Sequence, residues 1–133
     1  PHDYVPKAGP KMEGQIQTVY PRKNWSSVML FNNAKCRALS PEYVNHATGL
    51  GLHRFEWLNT KQIGFLPLAW NWLVGEYDPN PTAKLFHYTR GGPWFGQYRE
   101  CDHAQVWFRE YREMSGHDYF PTQAWEMPRA CPA

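Results

Sequence analysis

The chain has 133 residues, about the length of one domain, and a formal net charge of +2. Apolar residues make up 42% of it, which excludes a disordered chain, because disordered chains combine few apolar residues with a large net charge. No apolar stretch approaches the roughly 18 residues of a transmembrane helix, and the first residues lack the basic and apolar regions of a secretory signal. We therefore expect no membrane span and no signal peptide.

Basic residues are concentrated at the start of the chain. Residues 1–40 hold six Lys or Arg and two acidic residues, whereas the remainder holds eight basic and ten acidic ones. Pro and Gly interrupt this basic region, so it fits either a solvated loop or a contact with an anionic group such as phosphate. No nucleic-acid-binding motif is present and the overall charge is small, so a nucleic-acid partner is not expected.

The first half of the chain predicts short elements between loops. Residues 1–24 are expected to form a basic, irregular arm, because Pro and Gly recur throughout them. The apolar run at residues 27–32 predicts a short buried strand. A helix should begin with Ser40 as its N-cap and Pro41 as its first residue, and continue to about residue 48. Glycines at positions 49 and 51 are expected to end that helix.

The middle of the chain predicts further short elements. A second helical piece is expected at residues 52–58, and small strands at 62–66 and 84–88. The apolar segment 68–74 is too short to be assigned to helix or strand by its periodicity. The Asp-Pro-Asn-Pro sequence at 78–81 predicts a turn.

The clearest helix is predicted at residues 102–114. Apolar residues recur there at intervals of three and four and form one stripe, which comprises Ala104, Trp107, Phe108, Tyr111 and Met114. Residues 115–133 contain three prolines and form a tail without a packing period.

The expected fold is thus α/β, with short strands in a mixed arrangement, two or three helices and long aromatic-rich loops. Its divisions are an arm at 1–24, a core at 25–114 and a tail at 115–133.

The aromatic residues and the cysteines bear on the kind of site and on the location of the protein. Aromatic residues make up 17% of the chain; they either anchor the core and loops or line a site for a sugar or another flat ligand. The three cysteines, Cys36, Cys101 and Cys131, form no CxxC pair, so neither a disulfide framework nor a structural zinc site is predicted. We therefore expect a cytoplasmic location.

One segment combines residue types that suit a metal and a diphosphate. His87 ends a predicted strand, where its neutral ring could ligate a metal. The following Gly91 and Gly92 permit a tight loop with exposed amides that could cradle phosphate oxygens, and Arg90 adds a bidentate donor. A tight turn with a surface histidine accounts for the same residues and stays open as an alternative.

The same segment carries a family resemblance. Residues 87–94, His-Tyr-Thr-Arg-Gly-Gly-Pro-Trp, resemble the C-terminal His…Gly…Pro-Trp motif of the family-8 retaining glycosyltransferases, which have the GT-A fold. Residues 23–32 resemble the family's Asn-x-Gly-Val segment, and residues 66–71 resemble its Leu-Pro-x-x-Tyr-Asn stretch. The run from 20 to 107 is also similar to a bacterial and phage branch of these enzymes.

The resemblance implies transfer of a sugar from a nucleotide-sugar to a glycan or another hydroxyl acceptor. His87 would ligate a divalent cation, Mn²⁺ or Mg²⁺, and the diphosphate would contact Arg90, Gly91, Gly92 and Trp94. Six residues would contact the substrate: Trp25, Ser26, Ser27, His53, Trp70 and Asn71. No catalytic residue is assigned.

The chain lacks the family's metal-binding Asp-x-Asp sequence. Metal binding is therefore expected to be weak, and the chain would be either the C-terminal half of a larger transferase or a shorter relative with another role. Two alternatives stay open beside the enzyme. One is a non-catalytic module whose aromatic rings bind a carbohydrate or nucleotide, and the other is a structural domain that uses its tryptophans as core.

Overall fold

The computed structural model describes residues 2–12 and 14–120. This part of the chain has a small mixed α/β fold of short strands and three helices, which confirms the predicted class at that level. The strands are β1 (Pro10–Lys11), β2 (Gln15–Ile16), β3 (Trp72–Leu73) and β4 (Phe86–His87). The helices are α1 (Pro41–His46), α2 (Gly49–His53) and α3 (Ala104–Ser115). The predicted tail lies largely outside the described residues.

The strands form two separate pairs. β1 and β2 are antiparallel and make a small hairpin within the arm, which was expected to be irregular. β3 and β4 are parallel, with Trp72 opposite Phe86 and Leu73 opposite His87. The predicted strand at 84–88 is thus confirmed at its centre, and the unassigned segment 68–74 supplies its partner after a 3-10 turn at Leu68–Trp70.

The core is small and surrounds the β3–β4 pair. Leu73 and Pro93 are fully buried, and Val74, Phe55 and Ala104 are nearly so. Because each strand has only two residues, the long loops supply much of this packing. None of the helices in the described part of the chain has the length and apolar character needed to span a bilayer.

Two predicted strands are wrong. Residues 28–32 lie in no strand: residue 28 is at a bend, residues 29–32 contain no turn or bend, and Leu30 is 83% exposed rather than buried. Residues 63–67 likewise lie in no strand, after a 3-10 turn at Thr60–Gln62, although the backbone is extended at Ile63. A strand needs a neighbouring backbone to complete its hydrogen bonds, and no described segment pairs with either run.

The start of α1 is confirmed and its end is not. The Ser40 hydroxyl accepts a hydrogen bond from the Tyr43 amide at 3.1 Å, as an N-cap does. The glycine at position 49, however, begins α2 instead of ending α1. Thr48 caps that second helix by accepting from the amide of Gly51 at 3.0 Å, so α2 begins three residues before the piece predicted at 52–58 and ends at residue 53.

α3 lies where the sequence predicts it. It begins after a left-handed His103 and ends at Gly116, whose φ of 77° suits glycine. The Trp107 ring lies at the centre of an aromatic cluster, with ring centroids 5.0–5.5 Å from Trp94, Phe108, Tyr111 and Tyr119. Met114 is 78% exposed and lies outside the stripe, in which Ala104 is buried and the aromatic residues are half-buried.

We expect Trp107→Ala to lower the free energy of unfolding by about 3 kcal/mol, because it removes the central ring of this cluster. Met114→Ala, on the exposed side of α3, should change it by less than about 0.5 kcal/mol. Urea unfolding followed by circular dichroism measures both. Equal effects of the two substitutions would contradict the packing described for α3.

Candidate functional site

The described part of the chain holds an apolar groove of about 340 Å³. The two extended segments, 28–32 and 63–67, both line it, together with residues that follow α2. Its apolar lining comprises Val28, Met29, Leu30, Phe31, Phe55, Trp57, Leu58, Ile63, Phe65, Leu66 and Leu68. This volume lies at the lower end of the range for small-ligand pockets, about 300–1,000 Å³.

Three aromatic rings are packed together in the lining. Phe31 and Trp57 are stacked, with centroids 6.4 Å apart and planes 24° apart. Phe55 meets Trp57 edge to face at 6.1 Å. Phe55 is buried, whereas Phe31 is 41% exposed, so this group of rings reaches from the core to the surface.

Buried polar groups are anchored beside the apolar walls, where His2, Trp25 and Asn71 also line the groove. Asn71 Nδ2 donates to His2 Nε2 at 2.7 Å, which places the ring proton on Nδ1, 2.9 Å from the Tyr77 hydroxyl. The indole of Trp25 donates to the carbonyl of His2 at 2.6 Å. Burial lowers the pKa of His2 to about 4, so the ring is neutral at physiological pH.

The same network extends into the segment before residue 28. Asn71 Nδ2 also donates to the Ser27 hydroxyl at 2.6 Å, and that hydroxyl donates to the Asn24 carbonyl. The Asn24 amide donates to the Tyr4 hydroxyl at 2.7 Å and to Thr89 at 3.2 Å. These bonds hold the arm and the loop after β4 against the same side of the molecule.

The structure brings three of the six predicted substrate contacts together. Trp25, Ser27 and Asn71 meet in the polar network. Ser26 and His53 form a separate exposed pair, with Ser26 Oγ 2.8 Å from His53 Nδ1. Trp70 is 52% exposed and does not line the groove.

Sequence analysis missed the apolar residues that form the groove walls. Phe31, Trp57, Ile63 and Leu66 were assigned to strands or helices rather than to a site. Phe31, Ile63 and Leu66 lie in two short apolar runs without strict alternation, which predict strands as readily as a groove.

His87 is the last residue of β4, as expected from the sequence. Its Nδ1 is buried and has no hydrogen-bond partner in the described structure, and burial lowers the pKa of the ring. No cluster of three His, Cys, Asp or Glu side chains suited to a metal occurs among residues 2–12 and 14–120. The divalent cation stays a prediction.

Aromatic rings pack against the loop predicted to cradle a diphosphate. A Cβ on Gly91 would lie 2.5 Å from the Tyr98 ring, and one on Gly92 would lie 2.1 Å from the Trp94 ring. Arg90 packs against Gly75, and its guanidinium lies 3.4 Å from the carbonyl of Pro10. These residues thus make contacts within the protein that need no ligand.

The chain is similar to a curated plant protein. It is 51% identical over 119 residues to Protein CDI of Arabidopsis thaliana, a match that covers 84% of this chain. The match covers 46% of Protein CDI, so the chain spans about half the length of that relative. No protein-family profile matches the chain, and no solved structure matches it.

These comparisons contradict the family-8 glycosyltransferase interpretation. The relative's name is not that of a glycosyltransferase, and it is a plant protein rather than a bacterial or phage one. No profile or solved structure supports a GT-A fold or nucleotide-sugar binding, and the described residues give no support for manganese. The alternative of a non-catalytic module or a structural domain fits these findings better. The other partners and the cytoplasmic location stay predictions.

Burial of His2 predicts a loss of stability in mild acid. The unfolded chain takes up a proton on this ring below about pH 6.5, whereas the folded chain does so only near pH 4. Stability should therefore fall as the pH falls from 6.5 to 4, by up to about 3 kcal/mol at 1.36 kcal/mol per pKa unit. Urea midpoints at several pH values measure this. His2→Gln should reduce the slope, whereas His46→Gln, at an exposed helical position, should leave it unchanged.

The loop packing predicts opposite outcomes for two glycines. Gly92→Ala should cost at least about 2 kcal/mol, because its Cβ would overlap the Trp94 ring. Gly96→Ala should cost less than about 0.5 kcal/mol, since no atom lies within 4 Å of the Cβ position. Thermal melts compare the two. A stable Gly92→Ala would mean that the loop is open and that Trp94 does not pack on it.

Proposed function

We propose that this part of the chain is a non-catalytic binding module and that the groove is its binding surface. The observation that carries the proposal is an apolar groove with a stacked Phe31–Trp57 pair beside a buried hydrogen bond between Asn71 and His2. Such a combination of a largely apolar wall and a few fixed polar groups is typical of ligand sites.

The exposure of the lining supports binding. Phe65 is 74% exposed and Leu66 36% exposed, and both lie on the extended segment 63–67. Covering about 100 Å² of such apolar surface would contribute roughly 2.5 kcal/mol. The groove therefore offers a favourable free energy to any apolar ligand that fits it.

The lining favours an apolar ligand over a carbohydrate or a nucleotide. Met29, Leu30, Ile63 and Leu66 cannot hydrogen-bond a hydroxyl, and each hydroxyl buried without a partner costs about 1–3 kcal/mol. Lys35 is the single charged side chain in the groove lining, which is too little positive charge to neutralise a diphosphate.

The proposal is tested with anilinonaphthalene sulfonate, an apolar fluorophore with one negative charge. We expect saturable binding to the folded chain, with Phe31→Ser weakening it about tenfold. Losing roughly 60 Å² of ring contact removes about 1.5 kcal/mol, which corresponds to that factor.

Leu85→Ser is the matched control. Leu85 and Phe31 are each 41% exposed, but Leu85 does not line the groove. Equal dye binding by both variants and the unmodified chain would contradict the proposal. Tighter binding of a hexose or of uridine diphosphate than of the dye, lost in Phe31→Ser, would instead favour a carbohydrate or nucleotide module.

A further inference from the structure

The two groove-lining segments have backbones without backbone partners. Within the described residues, no backbone N–H or C=O of residues 28–31 or 64–66 is hydrogen-bonded to another backbone group. Residues 29–32 and 63–67 contain no turn or bend, and the backbone is extended at Asn32 and at Ile63, so each segment resembles the edge of a sheet without its neighbour. Unpaired edges of this kind bind a further strand readily, because the added backbone completes the row of hydrogen bonds.

The side chains along these edges are apolar and exposed. Leu30 is 83% exposed and Phe65 is 74% exposed, on separate segments of the groove wall. Since side chains alternate along an extended chain, a strand added here could place every second side chain in the groove. The backbone and the apolar lining thus favour the same kind of occupant.

The charges of the groove restrict that occupant further. Lys35 is exposed and no Asp or Glu lines the groove. An occupant with apolar residues at alternate positions and one carboxylate near Lys35 would complement both the lining and the charge. A basic segment would place like charge beside Lys35.

We propose that the groove binds an extended polypeptide segment that adds as a strand to residues 28–31 or 64–66, with alternate apolar side chains in the groove. This inference rests on the proposed function, because it names the ligand of that binding surface. More than half of Protein CDI lies outside its match to this chain, so that part of the relative is a source of candidate segments.

The experiment uses the 133-residue chain and overlapping peptides of about ten residues, the upper length of a common strand, which cover the unmatched part of Protein CDI. Fluorescence anisotropy of labelled peptides measures binding. We expect peptides with alternating apolar residues and an acidic residue to bind. N-methylation of alternate backbone amides in such a peptide should weaken binding by at least about tenfold, because it removes donors without changing side chains.

Substitutions in the protein test the same hydrogen bonds. Leu30→Pro removes an unpaired amide from the groove wall and should weaken peptide binding more than Leu30→Ala, which keeps the amide. Val19→Pro is the matched control: residue 19 is also exposed and its amide is also unpaired by backbone, but it lies outside the groove. A proton–nitrogen NMR spectrum of each variant verifies that the fold is retained.

The possible results distinguish a failure of strand addition from a failure of the proposed function. Binding that N-methylation leaves unchanged, or that Leu30→Pro and Val19→Pro weaken equally, would overturn strand addition. Dye binding in the groove without binding of any peptide would overturn the inference and leave the proposed function standing. If neither the dye nor any peptide binds, both the inference and the proposed function are overturned. Concentration-dependent dimerisation that Leu30→Pro abolishes, with no peptide binding, would assign the groove to a second copy of this chain.

Discussion

The arrangement of this molecule depends on buried hydrogen bonds between its N-terminal arm and the residues around β3. His2 bonds to both Asn71 and Tyr77, and the Glu76 carboxylate accepts from the Lys7 amide at 2.8 Å and from the Gln17 side chain at 2.6 Å. Asn71 and Glu76 are almost fully buried, so these bonds offset part of the cost of removing them from water, although Asn71 Oδ1 has no partner among the described residues. Two-residue strands could not hold the arm in place by backbone pairing alone.

This network also explains the groove. Trp25 is tied to the carbonyl of His2, and Ser27 is tied to Asn71, so the chain enters the 28–32 segment in a fixed direction. Arg22 adds a further link, because its guanidinium bonds to the hydroxyl of Thr60 at 2.9 Å, near the start of the other wall. The two apolar segments are thus positioned by polar contacts at their N-terminal ends, and the backbones of residues 28–31 and 64–66 make no backbone hydrogen bond within the described chain.

Local signals in the sequence predicted the elements that local interactions determine. The Ser40 cap and α3 depend on residues a few positions apart, and both are found where the pattern places them. The end of α1 was predicted wrongly because glycine was weighed without Thr48, whose side chain caps the next helix. A glycine is permitted both at the end of a helix and near its beginning, and the neighbouring hydroxyl decides between them.

Long-range contacts determine the candidate site, and the sequence did not reveal them. The bond between His2 and Asn71 joins residues 69 positions apart, and no spacing rule connects them. The two apolar runs have the composition of strands, but composition does not say whether a neighbouring backbone is present. Where that neighbour is missing, the residues that would form a buried strand form an exposed apolar wall instead. The error in predicting strands and the inference of strand addition therefore have one physical cause: these segments are suited to pairing, and the described chain supplies no partner for them.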